Sequence, residues 1–369
     1  MLQYAGSKQV ENVLAKLRRF YHMDTVKVIL WGLGAMGSGI AKDIVQNKTG
    51  IEIVGAIGQN PQKIGKDLGD ILGLEKKLGV IVSKNPAEVL KNTKADVVLL
   101  STQSLTKEVF PEIKLVVESG KNVITIAEEM SAPQVETPDL AKEMDALAKK
   151  HNVTILGTGV NPGFVLDTLI LTLTGACQVV NKIWAARIND LSPFGPTVMK
   201  SQGVGTTVEE FNKGVENGTI VGHIGFKQSI YLVAKSLGWE LDEVVESREP
   251  IMTTVYRETP HVQVQPGMVC GCRHIARGLC KGQEIITLEH PQQIHPELEG
   301  IKTGDYITIE GTPTIKFADE QEIPGGIGTM ATAVNMIPQV INARTGLLTM
   351  PELPVITALM GDVRKLVKR

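Results

Sequence analysis

The feature that most constrains this sequence is a short apolar strand followed at once by a glycine-rich turn. Residues 26–31 are apolar and rich in β-branched side chains, residues 32–37 read Gly-x-Gly-x-x-Gly, and residues 39–45 continue with helical spacing. In the order strand, turn, helix, this pattern marks a dinucleotide-binding site. The first glycine permits a tight turn, the second lets backbone approach a pyrophosphate, and the third lets the helix pack on the strand. We therefore predict cofactor contacts from Gly32, Leu33, Gly34, Ala35, Met36 and Gly37.

The end of the next strand bears on which nicotinamide dinucleotide binds. That strand, residues 51–57, should finish beside the adenosine ribose, where sites that prefer NAD usually carry an acid. Here it finishes in Gly58 and Gln59, and Lys63 is the nearest cation. We predict that Gly58 and Gln59 contact the cofactor, and the sequence leaves the choice between NAD and NADP open.

Strand-like and helix-like segments alternate from residue 25 to about residue 157. The predicted strands cover 26–31, 51–57, 79–83, 96–101, 122–127 and 153–156, and the predicted helices cover 35–48, 60–72, 86–92, 105–119 and 137–150. Alternating units of this length are typical of a doubly wound parallel sheet. We therefore predict an α/β fold of the Rossmann type.

Ligands of such sheets bind beyond the carboxyl ends of the strands. This rule selects loops at residues 101–104, 127–130 and 157–164. In the last loop proline fixes φ and glycine allows close approach, although Pro-Gly is also an ordinary turn signal. The additional predicted cofactor contacts are Ser101, Thr102, Gln103, Ala127, Asn161, Pro162 and Gly163.

The texture changes after residue 164, because strands cluster instead of alternating with helices. Helices are predicted at 165–177 and 207–236, and strands at 182–190, 252–258, 262–264, 268–276, 284–290 and 305–310. Clustered strands favour an α+β domain with an open mixed sheet. The predicted division is an N-terminal extension or fusion (1–24), a Rossmann domain (25–158) completed by C-terminal helices (328–369), and a substrate-binding and dimerisation domain (159–327).

Composition and charge exclude several classes of partner. The net charge of −2 provides no basic field for nucleic acid. No run of about 18 apolar residues predicts a membrane span, and no signal-peptide pattern opens the sequence, so we expect a cytoplasmic protein. The cysteines Cys270 and Cys272 are too closely spaced for a common zinc knuckle and alternate as in a strand. We expect them to pack in a sheet, and we predict no metal site.

Glu128 and Glu129 are the candidate catalytic residues. They follow the strand at 122–127, at the end that faces the cofactor crevice. A partly desolvated carboxylate there has a raised pKa and can act as a general base. A solvated loop or a helix cap is the alternative, and the sequence does not choose between the two glutamates. Candidate substrate contacts, each with a structural alternative, are Arg187, Asp190, Lys200 and His223.

Five segments, taken in order, resemble one known family. Residues 31–39, 65–69, 124–130, 159–164 and 328–335 are similar to the 2,4-diaminopentanoate dehydrogenases, which group with the native amine dehydrogenases and share a fold with dihydrodipicolinate reductase. The resemblance covers about residues 25–369. It implies NAD(P)-dependent oxidative deamination of 2,4-diaminopentanoate, a small diamino acid, to 2-amino-4-oxopentanoate and ammonia, as in ornithine fermentation. It also implies a homodimer.

The resemblance assigns roles to particular residues. The family's glutamate that orients ammonia or water maps onto Glu128 or Glu129, and Asn161 and Asn335 would lie near the nicotinamide. Many relatives carry Asp where this chain has Gly58, which keeps the cofactor preference open. Two other functions are compatible with the sequence: a native amine dehydrogenase for simple ketones, and a nucleotide-sensing Rossmann protein without catalysis.

Overall fold

The computed structural model describes residues 24–368, so the predicted N-terminal extension lies outside the described residues except for Asp24. Within them the strands are β1 (Val26–Trp31), β2 (Ile51–Ile57), β3 (Val82–Ser83), β4 (Val97–Leu100), β5 (Asn122–Thr125), β6 (Thr154–Gly157), β7 (Val179–Asp190), β8 (Glu243–Met252), β9 (Arg257–Thr259), β10 (Val262–Val264), β11 (Val269–Cys280), β12 (Gln283–Gln293), β13 (Gly304–Thr312), β14 (Ile315–Asp319) and β15 (Gly346–Leu348).

Helices connect these strands. The α-helices of the described residues are α1 (Ala35–Asn47), α2 (Leu68–Leu72), α3 (Pro86–Asn92), α4 (Thr106–Glu118), α5 (Pro138–Lys150), α6 (Thr168–Thr174), α7 (Pro196–Ser201), α8 (Val208–Glu216), α9 (Phe226–Leu237), α10 (Gly325–Asn335) and α11 (Ile337–Asn342). A short 3-10 helix, Glu128–Ser131, follows β5.

Seven of the described strands form a parallel sheet in the order β15-β6-β5-β4-β1-β2-β3. Its central strands are mostly apolar, because helices cover both faces. One face packs on α1, α2, α10 and α11, and the other packs on α4 and α5. The order of the strands reverses at β1, where β2 lies on one side and β4 on the other. This reversal places a ligand crevice at the carboxyl end of β1, and the predicted Rossmann fold is confirmed.

The chain also forms a second, mixed sheet. Within the described residues its order is β14-β13-β7-β12-β11-β8, and β7 and β12 run parallel while the other pairs are antiparallel. Helices α6 and α9 cover one face. The end of β7 therefore faces the crevice of the first sheet, since the chain returns from β14 through α10 to pack on α1.

Several predicted elements differ from those observed. The helix predicted at 207–236 is two helices, because residues 217–225 include three glycines with positive φ, at 218, 222 and 225. The strand predicted at 252–258 is wrong: β8 ends at Met252 and β9 starts at Arg257. Only the last turn of the helix predicted at 60–72 forms. Strands β8, β14 and β15 were not predicted, since short or partly polar strands carry a weak periodic signal.

The cysteines of β11 pack as small apolar groups, as predicted. Cys270 and Cys272 are buried, and burial raises the pKa of their thiols to about 11 and about 12. Within residues 24–368, no three His, Cys, Asp or Glu side chains are grouped as metal ligands would be. In the same part of the chain, no helix has the length and apolar character that crossing a bilayer requires.

Candidate functional site

The glycine turn, residues 32–37, has the geometry that a pyrophosphate requires. Gly32 has a φ of +97°, and a Cβ on Gly37 would lie 1.8 Å from the Gly32 carbonyl oxygen. A Cβ on Gly34, in contrast, would meet no described atom within 4 Å. Helix α1 begins at Ala35 without a side-chain cap, so its first N–H groups are available to an anion. Open space beside free N–H donors fits a dinucleotide pyrophosphate.

Ser101 locks this turn onto the sheet. Its hydroxyl donates to the Gly32 carbonyl oxygen at 3.0 Å, and a Cβ on Gly32 would lie 2.3 Å from the Ser101 carbonyl oxygen. The next two residues of the predicted loop differ in their environments. The Thr102 hydroxyl donates to the Glu112 carboxylate, whereas Gln103 is exposed. Ser101 therefore supports the turn, while Gln103 has a side chain free to reach a ligand.

A small cavity of about 180 Å³ adjoins the turn at the end of β2. It is lined by Leu33, Gly34, Gly58, Gln59, Asn60 and Lys63. The Lys63 ammonium donates to the Leu33 carbonyl oxygen, so the cation is held at the cavity mouth. None of the described lining residues is acidic. The cavity thus has the position of an adenosine ribose site, with Gly58 where sites selective for NAD place an acid and the Lys63 cation nearby.

The two glutamates that follow β5 differ in their environments. The carboxylate of Glu129 accepts the backbone N–H of Thr106 at 2.7 Å, and Thr106 is the first residue of α4. Glu129 therefore caps a helix. Glu128 caps no helix. Burial raises the pKa of its carboxyl group, and a hydrogen bond from the Ser104 side chain opposes the rise. Ala127, which precedes the pair, is buried.

The loop after β6 is held rigidly and presents one amide. The buried Asp167 carboxylate accepts the backbone N–H of Gly163 at 2.7 Å and the Ser229 hydroxyl at 2.9 Å. Pro162, which follows a cis peptide bond, lies against Gly225. Asn161 places its amide nitrogen 3.1 Å from Nε2 of His223. Its amide oxygen is buried and has no hydrogen-bond partner within residues 24–368.

Three histidines surround Phe226 beside this loop. The rings of His223 and His290 lie 4.9 Å apart, and those of His274 and Phe226 lie 4.8 Å apart. Burial and the nearby Arg187 charge lower the pKa of His290 to about 3, and burial also lowers the pKa of His223 and His274. All three are therefore neutral at pH 7, so the cluster offers hydrogen bonds without adding positive charge.

Arg187 does not occupy the position that the sequence suggested. Its guanidinium is buried and donates to both carboxylate oxygens of Asp305 at 3.1 Å. It also donates to the Ile323 carbonyl oxygen, and the Ile323 N–H donates to Asp305 at 2.8 Å. These contacts argue against a substrate clamp, because the donors of Arg187 are committed within the protein. The pair instead holds the backbone between β14 and α10.

Three other predicted residues also serve the fold or lie away from the crevice. Asn335 ends α10 and accepts the Leu359 N–H at 3.2 Å. This contact uses the amide oxygen of Asn335 within the fold. Lys200 is exposed on α7. The Asp190 carboxylate accepts the backbone N–H and hydroxyl of Ser192, although the residue lines the crevice.

The crevice between the two sheets is a cavity of about 940 Å³. Ala35 and Met36 of the glycine turn line one side, and the end of β7 and residues 320–322 line the other. Its ionisable lining residues are Asp190, Glu297, Lys302, Glu320 and Glu322. Four carboxyl groups against one lysine make the cavity suited to a cation. Sequence reasoning missed Asn189 and Glu322, because no motif marks them and only the fold brings them to this wall.

Comparison with known proteins gives the same picture. A family model for the 2,4-diaminopentanoate dehydrogenase C-terminal domain matches residues 164–369, and one for the dihydrodipicolinate reductase N-terminus matches residues 26–155. The chain is 49% identical over 348 residues to 2,4-diaminopentanoate dehydrogenase from Acetoanaerobium sticklandii, covering 94% of this chain and 98% of that protein. It is 26% identical to the amine dehydrogenase of Streptomyces virginiae, covering 89% and 96%.

A solved structure extends the similarity to three dimensions. The amine dehydrogenase of Mycobacterium smegmatis matches with a TM-score of 0.79 and 30% identity, covering 91% of this chain and 98% of that one. The fold, the glycine turn and the crevice define a dehydrogenase that uses a nicotinamide dinucleotide. The chain belongs to the 2,4-diaminopentanoate dehydrogenase family.

Proposed function

We propose that this protein oxidises 2,4-diaminopentanoate at C4, giving 2-amino-4-oxopentanoate and ammonia with NAD or NADP as the oxidant. The observation that carries the proposal is Glu128, a partly desolvated carboxylate at the carboxyl end of β5 that caps no helix. The name of the Acetoanaerobium sticklandii relative supports the substrate. The acidic lining of the crevice supports it as well, since a diamino acid carries two ammonium groups and one carboxylate.

When bound, the nicotinamide supplies the redox step by accepting a hydride from C4 of the substrate. Glu128 then takes a proton from the water that adds to the resulting C4 iminium carbon, and the C4 nitrogen leaves as ammonia. The overall reaction consumes one water and one oxidised cofactor, and it yields the ketone, ammonium, the reduced cofactor and one proton. A carboxylate with a raised pKa suits this role because it is basic enough to accept that proton near neutral pH.

The proposed cofactor contacts are a subset of the residues that the sequence selected. The glycine turn would hold the pyrophosphate, and Gly58, Gln59 and Lys63 would surround the adenosine ribose. Gln103, Ala127 and the Asn161–Gly163 loop would lie near the nicotinamide, with Ser101 and Thr102 in support. Arg187 and Asn335 are assigned to the fold instead, because their polar groups are used within the protein.

The test compares two isosteric changes. Glu128→Gln should lower kcat on 2,4-diaminopentanoate by about 10²–10⁴-fold, the usual worth of a positioned general base, while cofactor binding and melting temperature stay the same. Glu129→Gln should leave kcat within about fivefold and lower stability by about 1 kcal/mol, because it weakens a helix cap. Cofactor reduction followed by absorbance measures both. Equal kcat losses in the two variants, or none in Glu128→Gln, would contradict the assignment.

We further propose that the protein is a cytoplasmic homodimer that pairs through the open face of the mixed sheet. Trp184, Ile188 and Tyr306 lie on that face and are only half-buried, and no described helix covers them. The free thiols at Cys177 and Cys280 are consistent with a reducing compartment. Light scattering on the purified protein should give twice the chain mass, and Trp184→Glu should reduce it to one chain.

A further inference from the structure

Two buried acceptors without donors lie on the same wall of the crevice. They are Oδ1 of Asn189 and Oε2 of Glu322, and neither has a hydrogen-bond partner within the described part of the chain. Both residues line the 940 Å³ cavity, and Asn189 is only 7% exposed. Buried polar atoms are almost always satisfied in folded proteins. Two exceptions on residues that line one cavity indicate that a ligand supplies the missing donors.

The backbone around Glu322 is held in an unfavourable conformation. Glu322 has a φ of +56°, which a residue with a Cβ rarely adopts and which typically costs about 1 kcal/mol or more. The buried Arg187–Asp305 pair fixes both the N–H and the carbonyl of the neighbouring Ile323. The Asp190 N–H also donates to the Glu322 carboxylate. The Arg187 and Asp305 side chains and the Asp190 N–H therefore hold one carboxylate at the cavity wall.

The negative charge of this carboxylate is not fully balanced by neighbouring positive charge. Burial raises the pKa of Glu322 to about 7, although the Arg187 charge and the Asp190 N–H oppose the rise. The guanidinium of Arg187 is already shared with Asp305. A cation bound in the cavity would supply the missing counter-charge, and an ammonium has three N–H donors for the two free acceptors.

We propose that Asn189 and Glu322 form the subsite for the ammonium group that the substrate retains at C2. This inference rests on the proposed function, because that reaction removes the C4 amine and leaves the C2 amine in place. The subsite gives the enzyme a reason to prefer a diamino acid over a simple amine, since a simple amine would leave both acceptors unpaired. Arg187 and Asp305 are then positioning residues for Glu322.

The experiment measures binding of two inert analogues to the enzyme saturated with NADP. 2-Aminopentanoate carries the C2 ammonium and lacks the C4 amine, and pentanoate lacks both. By titration calorimetry, the wild type should bind 2-aminopentanoate more tightly than pentanoate. Glu322→Gln should weaken 2-aminopentanoate about 10- to 100-fold, the worth of a charge-assisted hydrogen bond, and should change pentanoate less than twofold.

Two further variants make the result specific. Asn189→Leu, which keeps the side-chain shape, should weaken 2-aminopentanoate by about three- to tenfold. Glu240→Gln makes the same charge change at an exposed site outside the cavity and should leave both affinities unchanged. Equal weakening of both analogues in Glu322→Gln, or no weakening of either, would overturn the subsite.

Failure of the proposed function has a different signature. If the wild type did not reduce either cofactor with 2,4-diaminopentanoate, the reaction would be wrong, and the calorimetric comparison would still decide whether the subsite binds ammonium. If the wild type turned over normally while the analogue pair responded equally in Glu322→Gln, the reaction would stand and the subsite would be wrong.

Discussion

The glycine turn and the opposite wall of the crevice face one cavity but are built in opposite ways. In the turn, the close approaches of Gly32 and Gly37 are made by backbone, and Ser101 satisfies the Gly32 carbonyl. On the cleft wall, formed by Asn189 and residues 320–323, one carboxylate oxygen of Glu322 and the amide oxygen of Asn189 are buried without donors. The turn is a complete structure that accepts a ligand in open space. In the proposed subsite, the wall is complete only when a ligand is bound.

This difference separates two ways of building a binding site. A dinucleotide phosphate needs free N–H groups and space, and a helix start with glycine provides both at little cost in stability. An ammonium needs desolvated acceptors, and their burial opposes folding until the cation arrives. The buried acceptors of the wall should therefore lower the stability of the ligand-free protein and strengthen ligand binding, whereas the turn should not lower stability. Three substitutions test the contrast, from the largest expected effect to the smallest.

The largest effect is expected inside the turn. Gly37→Ala places a methyl group 1.8 Å from the Gly32 carbonyl oxygen, so the turn must open; cofactor affinity should fall at least about 100-fold, and stability should fall by about 1–3 kcal/mol. Gly34→Ala is the matched change, since its methyl group meets no described atom within 4 Å. It should weaken the cofactor about tenfold and leave the melting temperature unchanged. Similar melting temperatures for the two variants would show that the turn is not closely packed.

An intermediate effect of opposite sign is expected on the wall. The pKa of Glu322 is raised to about 7 in the folded protein. The folded protein therefore loses stability as pH rises from about 4.5 through 7, because ionisation of Glu322 is less favourable in the folded state than in the unfolded state. Glu322→Gln removes this cost and should be about 1–2 kcal/mol more stable than wild type at pH 8. The gap should be less than half as large at pH 5. Urea unfolding at both pH values measures it, and a less stable variant at pH 8 would refute the contrast.

The smallest effect concerns the adenosine end of the turn. Lys63 is held at the mouth of a cavity that lacks an acid. Lys63→Ala should weaken NADP about two- to fivefold, because a partly exposed cation contributes up to about 1 kcal/mol to a phosphate contact, and NAD should change less than twofold. Lys66→Ala, an exposed neighbour, is the control. Fluorescence titration gives both affinities, and equal losses for NAD and NADP would exclude a site for the 2′-phosphate.

Local sequence predicted most of the first sheet. The strands β1, β2 and β5 and the helices α1, α3 and α5 lie within a few residues of their predicted positions, because buried parallel strands are continuous apolar runs and their helices are amphipathic. The mixed sheet was predicted less well. Its edge strand β8 has four consecutive polar residues, 246–249, followed by Pro250, over a half-exposed surface, which resembles a loop in composition. The helix predicted at 207–236 is interrupted because glycines between its two halves adopt positive φ.

The site divides along the same line. The residues of the glycine turn follow from spacing alone, because one loop of consecutive residues builds the whole phosphate site. Glu128 and Glu129 were selected as a pair but could not be distinguished, since only the fold shows that Glu129 reaches Thr106. Arg187 carries the right chemistry for a carboxylate clamp, yet Asp305, 118 residues later in the chain, takes its donors.

The sequence by itself determined the dinucleotide fold, the position of the phosphate turn and the candidate base, because each depends on residues that are neighbours in the chain. The tertiary structure decided which glutamate caps a helix, which cation is buried and which acceptor residues line the crevice. Those decisions depend on contacts between residues far apart in sequence: Asp190 with Glu322, and Arg187 with Asp305. Burial and pairing set the charge of these groups, and neither is encoded in local spacing.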